Sequence, residues 1–162
     1  MIVIADTGPL NYLVLSGAVD VLQPLYKRVI VPQAVVQELD DAAAPTAVRT
    51  WIAQPPVWLE VRPDPPSDPT LDFLDAGEKA ALTLAEALNA DELLIDEQAG
   101  RAEAERRHLH VTGTLGVLAS AHLAGLRDFD QALTRLRSTN FRLHPDVERL
   151  VRRRIAAAKQ ES

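Results

Sequence analysis

The sequence predicts an α/β fold in which a central parallel sheet is flanked by helices. Short apolar segments rich in β-branched residues recur along the 162-residue chain, and helical patterns lie between almost all of them. This alternation is typical of a parallel sheet with helices on its faces. The length fits one compact domain, and a hydrophobic content of 47% supplies a sizeable core. We therefore expect a single domain over residues 1–162, with a C-terminal helix at about 146–158 as an appendage.

Strands are predicted where short apolar runs end at turn-forming or polar residues. The first run, Ile2-Val3-Ile4-Ala5, is β-branched and short enough to be a buried strand. The later ones share its length and composition, and the predicted strands are 2–5, 29–31, 58–61, 93–95 and 110–111.

Helices are predicted where apolar residues recur three or four positions apart. Gly8-Pro9 is predicted as a turn before the first helix, Pro32 suits the first turn of another helix, and Thr114 is a candidate N-cap. Residues 62–69 contain four prolines and are predicted as a surface loop. The predicted helices are 10–14, 19–25, 32–39, 48–52, 78–88, 101–107, 115–123, 129–136 and 146–158.

Composition narrows the function classes. The chain has no cysteine, which excludes disulfides and cysteine-based metal sites and is compatible with a reducing cytoplasm. The start of the sequence does not resemble a signal peptide, and no apolar run has the length of a membrane span, so we expect a cytoplasmic protein without membrane contact. The net charge of −6 argues mildly against nucleic acid, unless the acidic residues hold cations.

Four acidic residues occupy positions from which they can converge. Asp6 and Asp96 each follow a predicted strand directly, and Glu38 and Glu78 lie on helices beside apolar residues. Ligands of parallel α/β folds bind beyond the carboxyl ends of the strands. If the first and fourth strands are parallel neighbours, Asp6 and Asp96 share one edge of the sheet, and all four acids could meet there.

Clustered carboxylates suggest a hard cation. Mg²⁺ and Mn²⁺ favour oxygen ligands, and acids that lie close together repel one another unless a cation compensates. A bound metal can activate water and stabilise an in-line phosphoryl displacement. Hydroxyl groups of Thr7, Thr112 and Thr114 could position water or phosphate, and Arg101 could contact phosphate because it follows Asp96 by five residues.

Each residue alone also has a structural explanation. Asp6 and Asp96 could cap the helices that follow them, Glu38 could be a solvated helix residue, and Glu78 could simply suit a helix N-terminus. The arginines of the last helix, such as Arg149 and Arg152, have acidic neighbours and fit a solvated face better than a phosphate site. The functional prediction for the four acids therefore depends on their joint pattern.

That joint pattern resembles the PIN-domain family. Ile4 to Leu10 resembles the opening motif with its first metal-binding Asp, and Val31-Pro32 with Val36 to Leu39 resembles the second motif with Glu as ligand. Gly77 to Leu82 and Leu94 to Glu97 resemble the third and fourth acidic motifs. Gly100-Arg101 and Val111 to Gly116 further resemble an uncharacterised prokaryotic branch of the family.

The resemblance implies a PIN-like three-layer fold and ribonuclease activity dependent on Mg²⁺ or Mn²⁺. It makes Asp6, Glu38, Glu78 and Asp96 the catalytic and metal-binding residues, with RNA as substrate. VapC-type toxins share this architecture, often as homodimers bound by a small antitoxin, so this chain is interpreted as the toxin of such a pair. The alternative is a catalytically silent PIN-like module that binds RNA or a protein partner.

An apolar surplus on two helices independently suggests a homodimer. A surface helix of a monomer normally has one apolar stripe. Here apolar residues cover more than one face, and the surplus would be exposed unless it enters the core or a second subunit covers it. The residues are Leu10, Leu13, Val14 and Leu15 on one helix and Leu115, Val117, Leu118, Ala121 and Leu123 on the other.

Overall fold

The computed structural model describes residues 1–161 and contains a five-stranded sheet in which every strand is parallel to its neighbours. The strand order is β3-β2-β1-β4-β5. The predicted central parallel sheet is therefore confirmed. The strands are β1 (Val3–Ala5), β2 (Val29–Pro32), β3 (Leu59–Arg62), β4 (Glu92–Leu94) and β5 (Val111–Thr112).

Nine α-helices connect or follow these strands within residues 1–161, and two short 3₁₀ turns, Val19–Val21 and Pro69–Leu71, accompany them. The helices are α1 (Thr7–Leu15), α2 (Leu22–Tyr26), α3 (Gln33–Leu39), α4 (Thr46–Ala53), α5 (Ala76–Ala87), α6 (Gln98–Arg106), α7 (Thr114–Leu123), α8 (Phe129–Arg137) and α9 (Pro145–Glu161).

The sheet has helices on both faces, as the three-layer prediction requires. The chain moves from β1 through β2 to β3 in one direction and then crosses to β4 on the other side of β1. Right-handed crossovers therefore place α1 and α2 on one face and α5 and α6 on the opposite face. Helix α5 packs on β1, β2 and β4, and residues such as Ile4, Leu93 and Leu82 are fully buried between the layers.

Several helices begin at other residues than predicted. Gly8 and Pro9 do not form a turn before α1 but belong to its first turn, where a proline loses no intrahelical hydrogen bond. Pro32 ends β2 and is the N-cap of α3, so the helix begins at Gln33. Thr114 is the first residue of α7, and the N-cap is Gly113.

The apolar surplus lies mostly in the core. Leu10, Leu13, Leu115, Val117, Leu118 and Ala121 are buried within the chain, and Val14 and Leu15 are half-buried. Leu123 alone of this set is exposed, with 40% of its surface accessible. Two helix faces are apolar because α1 and α7 also pack against each other. The surplus therefore no longer supports the homodimer, which stays a prediction.

The C-terminal helix α9 packs against α7. Ile155 is its buried residue, and Arg154 donates hydrogen bonds to the Gly116 carbonyl and to Ser120 Oγ, at 3.4 and 2.9 Å. None of the helices described here is long and apolar enough to cross a membrane.

Candidate active site

Asp6 and Asp96 lie at the same edge of the sheet, as expected from their places after β1 and β4. The two strands are parallel neighbours with Ala5 opposite Leu94, and the Asp6 N–H donates to the Leu94 carbonyl at 2.9 Å. The strand order changes direction between them: β2 and β3 lie on one side of β1, and β4 and β5 lie on the other. Such a switch point is where open α/β sheets leave a crevice for ligands.

Asp6 is buried without a full set of partners. Only 3% of it is exposed, and although it is the N-cap residue of α1, its side chain makes no capping hydrogen bond. Its Oδ1 is the one buried side-chain N or O atom within residues 1–161 that has no hydrogen-bond partner. Burial raises the pKa of Asp6 to about 8; the carboxylates of Asp75, Glu38 and Asp96 add to the rise, and the Thr7 N–H opposes it.

Asp96 is oriented by Thr114. The Thr114 N–H donates to Oδ1 and the Thr114 hydroxyl donates to Oδ2, both at 2.7 Å. Thr114 thus serves the site as an anchor for a carboxylate, although it does not cap a helix. Burial raises the pKa of Asp96, while the two bonds from Thr114 and the charge of Arg101 moderate the rise.

Glu38 links three helices at the edge of the sheet where Asp6 and Asp96 lie, which we call the rim. Its Oε2 accepts a hydrogen bond from the Thr7 hydroxyl on α1 at 2.5 Å, and its Oε1 accepts from the Gly77 N–H on α5 at 2.7 Å. Glu38 is therefore a partly buried, bonded residue, and the explanation as a solvated helix residue is wrong. A Cβ at Gly77 would lie 2.5 Å from Glu38 Oε1, so the glycine is needed for this approach.

Glu78 lies in the first turn of α5 and is only 7% exposed. Burial raises its pKa to about 9, and the neighbouring Asp75 carboxylate, Asp6 and Glu97 raise it further. Gly100 of α6 permits close packing here, since a Cβ would lie 3.1 Å from Glu78 Oε2.

Asp75 is a further acid at the rim and is absent from the four acids predicted from the sequence. Its side chain caps α5 by accepting from the Glu78 N–H at 2.8 Å, and its charge acts on both Asp6 and Glu78. An Asp three residues before a Glu at a helix start is a capping signal that could have identified it.

The supporting residues divide into two groups. Thr7 and Thr114 bond the site carboxylates, and Arg101 acts electrostatically on Asp96. The Thr112 hydroxyl instead donates to Glu92 Oε2 at 2.8 Å, so the structure does not place it on a site carboxylate.

Two of the four arginines of the last helix, Arg149 and Arg152, have acidic partners, as expected for a solvated face. Arg152 contacts Glu148 and Asp130, and Arg149 contacts Asp146. These pairs lie on exposed surface, where ion pairs contribute little to stability.

The donor chemistry of the rim suits a hard divalent cation. Its charged groups are carboxylates, and one carboxylate oxygen, Asp6 Oδ1, is buried without a partner. Burial raises the pKa values of Asp6 and Glu78, and a bound cation would favour their charged forms. In this structure, however, no three Asp, Glu or His side chains within residues 1–161 are grouped closely enough to hold one ion. Protein hydrogen bonds engage both oxygens of Glu38 and of Asp96.

These features define an α/β protein with an acidic crevice at the switch point of a parallel sheet. A family model described as a PIN domain matches residues 2–157, nearly the whole chain. The chain belongs to the PIN-domain family. PIN domains are generally nucleases and typically use divalent metals. No curated protein and no solved structure matches the chain significantly.

Proposed function

We propose that this protein is a divalent-metal-dependent endoribonuclease that hydrolyses RNA phosphodiester bonds. The observation that carries the proposal is Asp6: a buried carboxylate oxygen without a partner, at the switch point of a PIN fold, beside four further acids. Burial of a polar atom without a partner costs free energy, and a cation bound to that oxygen would remove the cost.

Asp6 and Asp96 are the proposed direct ligands of Mg²⁺ or Mn²⁺, and Glu38 completes or supports the ligand set. The metal, when bound, supplies Lewis acidity for the phosphodiester and a water of lowered pKa. Glu78 is proposed to hold a second ion, once it has lost its proton, or to orient the attacking water, because it is buried at the rim close to Asp6. Thr7 and Thr114 fix the carboxylates, which limits rearrangement during the reaction.

One observation favours the alternative of a catalytically silent PIN-like module. The rim acids within residues 1–161 are not gathered into a three-ligand group, and Glu38 is committed to Thr7 and Gly77. A silent module would keep these bonds as structural links and would bind RNA or protein without cleaving it.

Calorimetry with Mn²⁺ and a cleavage assay separate the two candidates. We expect the wild-type protein to bind Mn²⁺ and to cleave RNA only with Mg²⁺ or Mn²⁺, and we expect Asp6→Asn to lose both properties while it remains folded. Asp6→Asn, purified in parallel, also controls for contaminating nuclease. Cleavage that persists in excess EDTA, or in Asp6→Asn at saturating Mg²⁺, would overturn the proposed site.

We further propose that the protein is the toxin of a toxin–antitoxin pair and acts as a homodimer in the cytoplasm, with a small antitoxin as partner. Expression of wild type should arrest growth of a bacterial host, whereas Asp6→Asn should not. Light scattering coupled to size exclusion tests the dimer: a mass of about one chain, unchanged as concentration rises, would exclude it.

A further inference from the structure

A groove of about 600 Å³ lies beside the acidic rim and reaches it at Asp96. Asp6, Glu38 and Glu78 do not line it. Its walls come from α1, the start of α6, the β5–α7 turn, the connection between α8 and α9, and α9 itself. The volume is in the range of small-ligand sites, and the groove can hold one or two nucleotides.

Two aromatic rings line this groove. Tyr12 of α1 and Phe141 of the α8–α9 connection meet edge to face, with ring centroids 5.0 Å apart and planes inclined at 78°. Both residues are only half-buried. The chain has few aromatic residues that could form its core, so two that remain partly open are notable. Partly open aromatic rings in a groove provide a stacking surface for an unpaired base.

Three arginines that form no salt bridge within residues 1–161 line the same groove, together with the carboxylates of Asp96 and Glu97. Arg101, Arg142 and Arg154 line the groove, and none of them forms an ion pair with a carboxylate in residues 1–161. Arg142 is exposed and lies close enough to Tyr12 to act on it electrostatically. The three guanidinium groups outnumber the two carboxylates of the lining, so this groove suits an anion in a protein of net charge −6.

Gly113 keeps the inner end of the groove open. A Cβ at this position would lie 2.7 Å from Arg101 Nη1 and 2.9 Å from Asp96 Oδ1. Its backbone has an ordinary extended conformation, so the need for glycine comes from space and not from strain. Because Gly113 has no side chain, a gap remains between the Arg101 guanidinium and the Asp96 carboxylate, where the groove meets the rim.

We propose that this groove is a subsite for single-stranded RNA. A base stacks on Tyr12 and Phe141, and backbone phosphates contact Arg142 and Arg101. The strand then continues past Gly113, which brings a neighbouring phosphodiester to Asp96. Bases within a duplex are stacked on each other and cannot reach the rings, so the subsite selects unpaired nucleotides. The inference rests on the proposed ribonuclease function for its choice of RNA.

Binding of a fluorescein-labelled single-stranded RNA 12-mer, measured by anisotropy in EDTA, tests the subsite without cleavage of the probe. We expect Phe141→Ala to weaken binding at least about fivefold, with Phe141→Trp retaining it. Arg142→Ala should weaken binding and reduce the slope of log K against log salt by about 0.7, as loss of one phosphate contact requires. Arg153→Ala is the matched control, an exposed arginine on α9 outside the groove lining.

The outcomes separate the subsite from the catalytic proposal. Loss of binding in the Arg142 and Phe141 variants supports the subsite, even if the wild type never cleaves RNA with Mn²⁺. Wild-type binding in both variants overturns it, even if cleavage is observed, as does equal binding of the same sequence as a duplex. Because Arg142 is exposed and unpaired, its variant stays informative if Phe141→Ala does not fold. Equal, Arg142-dependent binding of single-stranded DNA would support the subsite but contradict a preference for RNA.

Discussion

Thr114 binds both carboxylate oxygens of Asp96, one through its N–H and one through its hydroxyl, at 2.7 Å each. Thr114 is fully buried, so no water can replace a bond that is lost. Asp96 is thereby held in one orientation by the first residue of α7.

Removal of the Thr114 hydroxyl tests this arrangement. In Thr114→Val, Asp96 Oδ2 loses its donor, and loss of a hydrogen bond to a charged group costs about 1.5–3 kcal/mol. We expect that decrease in the free energy of unfolding from urea denaturation at pH 8. Metal-dependent cleavage should fall about 10- to 100-fold, as when other groups that orient metal ligands are removed. Thr114→Ser keeps the hydroxyl and should retain most activity. Wild-type cleavage by Thr114→Val would show that the orientation of Asp96 is unimportant.

Two glycines in equivalent helix positions provide a matched pair. Gly8 and Gly77 are each the second residue of a helix and each lie beside a site carboxylate. A Cβ would lie 3.4 Å from Asp96 Oδ2 at Gly8, an ordinary contact, but 2.5 Å from Glu38 Oε1 at Gly77. Gly77→Ala should therefore displace Glu38 and reduce Mn²⁺ affinity at least about tenfold by calorimetry. Gly8→Ala should bind Mn²⁺ like the wild type. Equal affinities of the two variants would contradict a role for Glu38.

The stability of the metal-free protein should depend on the Asp6 carboxyl. Its pKa is about 8 in the folded protein against 3.8 as an isolated group, so the folded state binds the proton more tightly. The stability that this tighter proton binding gives to the fold is fully present below about pH 4 and is lost as the pH rises through about 8. Asp6→Asn removes this loss.

Thermal unfolding in EDTA at pH 6 and pH 9 measures the effect. The melting temperature of the wild type should fall between the two pH values more than that of Asp6→Asn. At pH 9 the variant should be more stable by about 3 °C or more, the shift that about 1 kcal/mol produces at this chain length. An identical pH dependence of the melting temperature in both proteins would mean that burial does not raise the pKa of Asp6.

The sequence predicted the elements better than it predicted how the site is built. Periodicity identifies β1, β4 and their helices because burial follows local patterns, and it therefore places Asp6 and Asp96 at strand ends. The Thr7–Glu38 bond joins residues 31 positions apart, and the closeness of Gly77 to Glu38 depends on how α3 and α5 pack. No local pattern contains such distances.

The proline-rich loop shows the same limit. Its composition predicts irregular backbone, but not that Asp64 accepts a hydrogen bond from the Ala34 N–H at the start of α3. Nor does it predict that Asp68 contacts Arg107 at 3.1 Å. The loop is thus held from both sides, by contacts that depend on the tertiary arrangement of α3 and α6.

Metal binding should release protons, because Asp6 and Glu78 have pKa values of about 8 and about 9 and are largely protonated at pH 7. A carboxylate must be deprotonated to bind a cation. Titration of Mn²⁺ at pH 7 in buffers of different ionisation enthalpy should give an apparent enthalpy that varies linearly with that quantity. The slope is the number of protons released, which we expect to be between one and two. The affinity should rise with pH, by up to about tenfold per unit for each proton released.

Glu78→Gln separates the two acids in this experiment. It keeps the size of the side chain but has no proton to release, so the slope at pH 7 should fall by about one while Asp6 still contributes. A wild-type slope close to zero at pH 7, together with measurable Mn²⁺ binding, would place the ion on acids other than Asp6 and Glu78. A slope that declines as the pH is raised from 7 to 9 would show that these buried carboxyls are the groups that give up their protons.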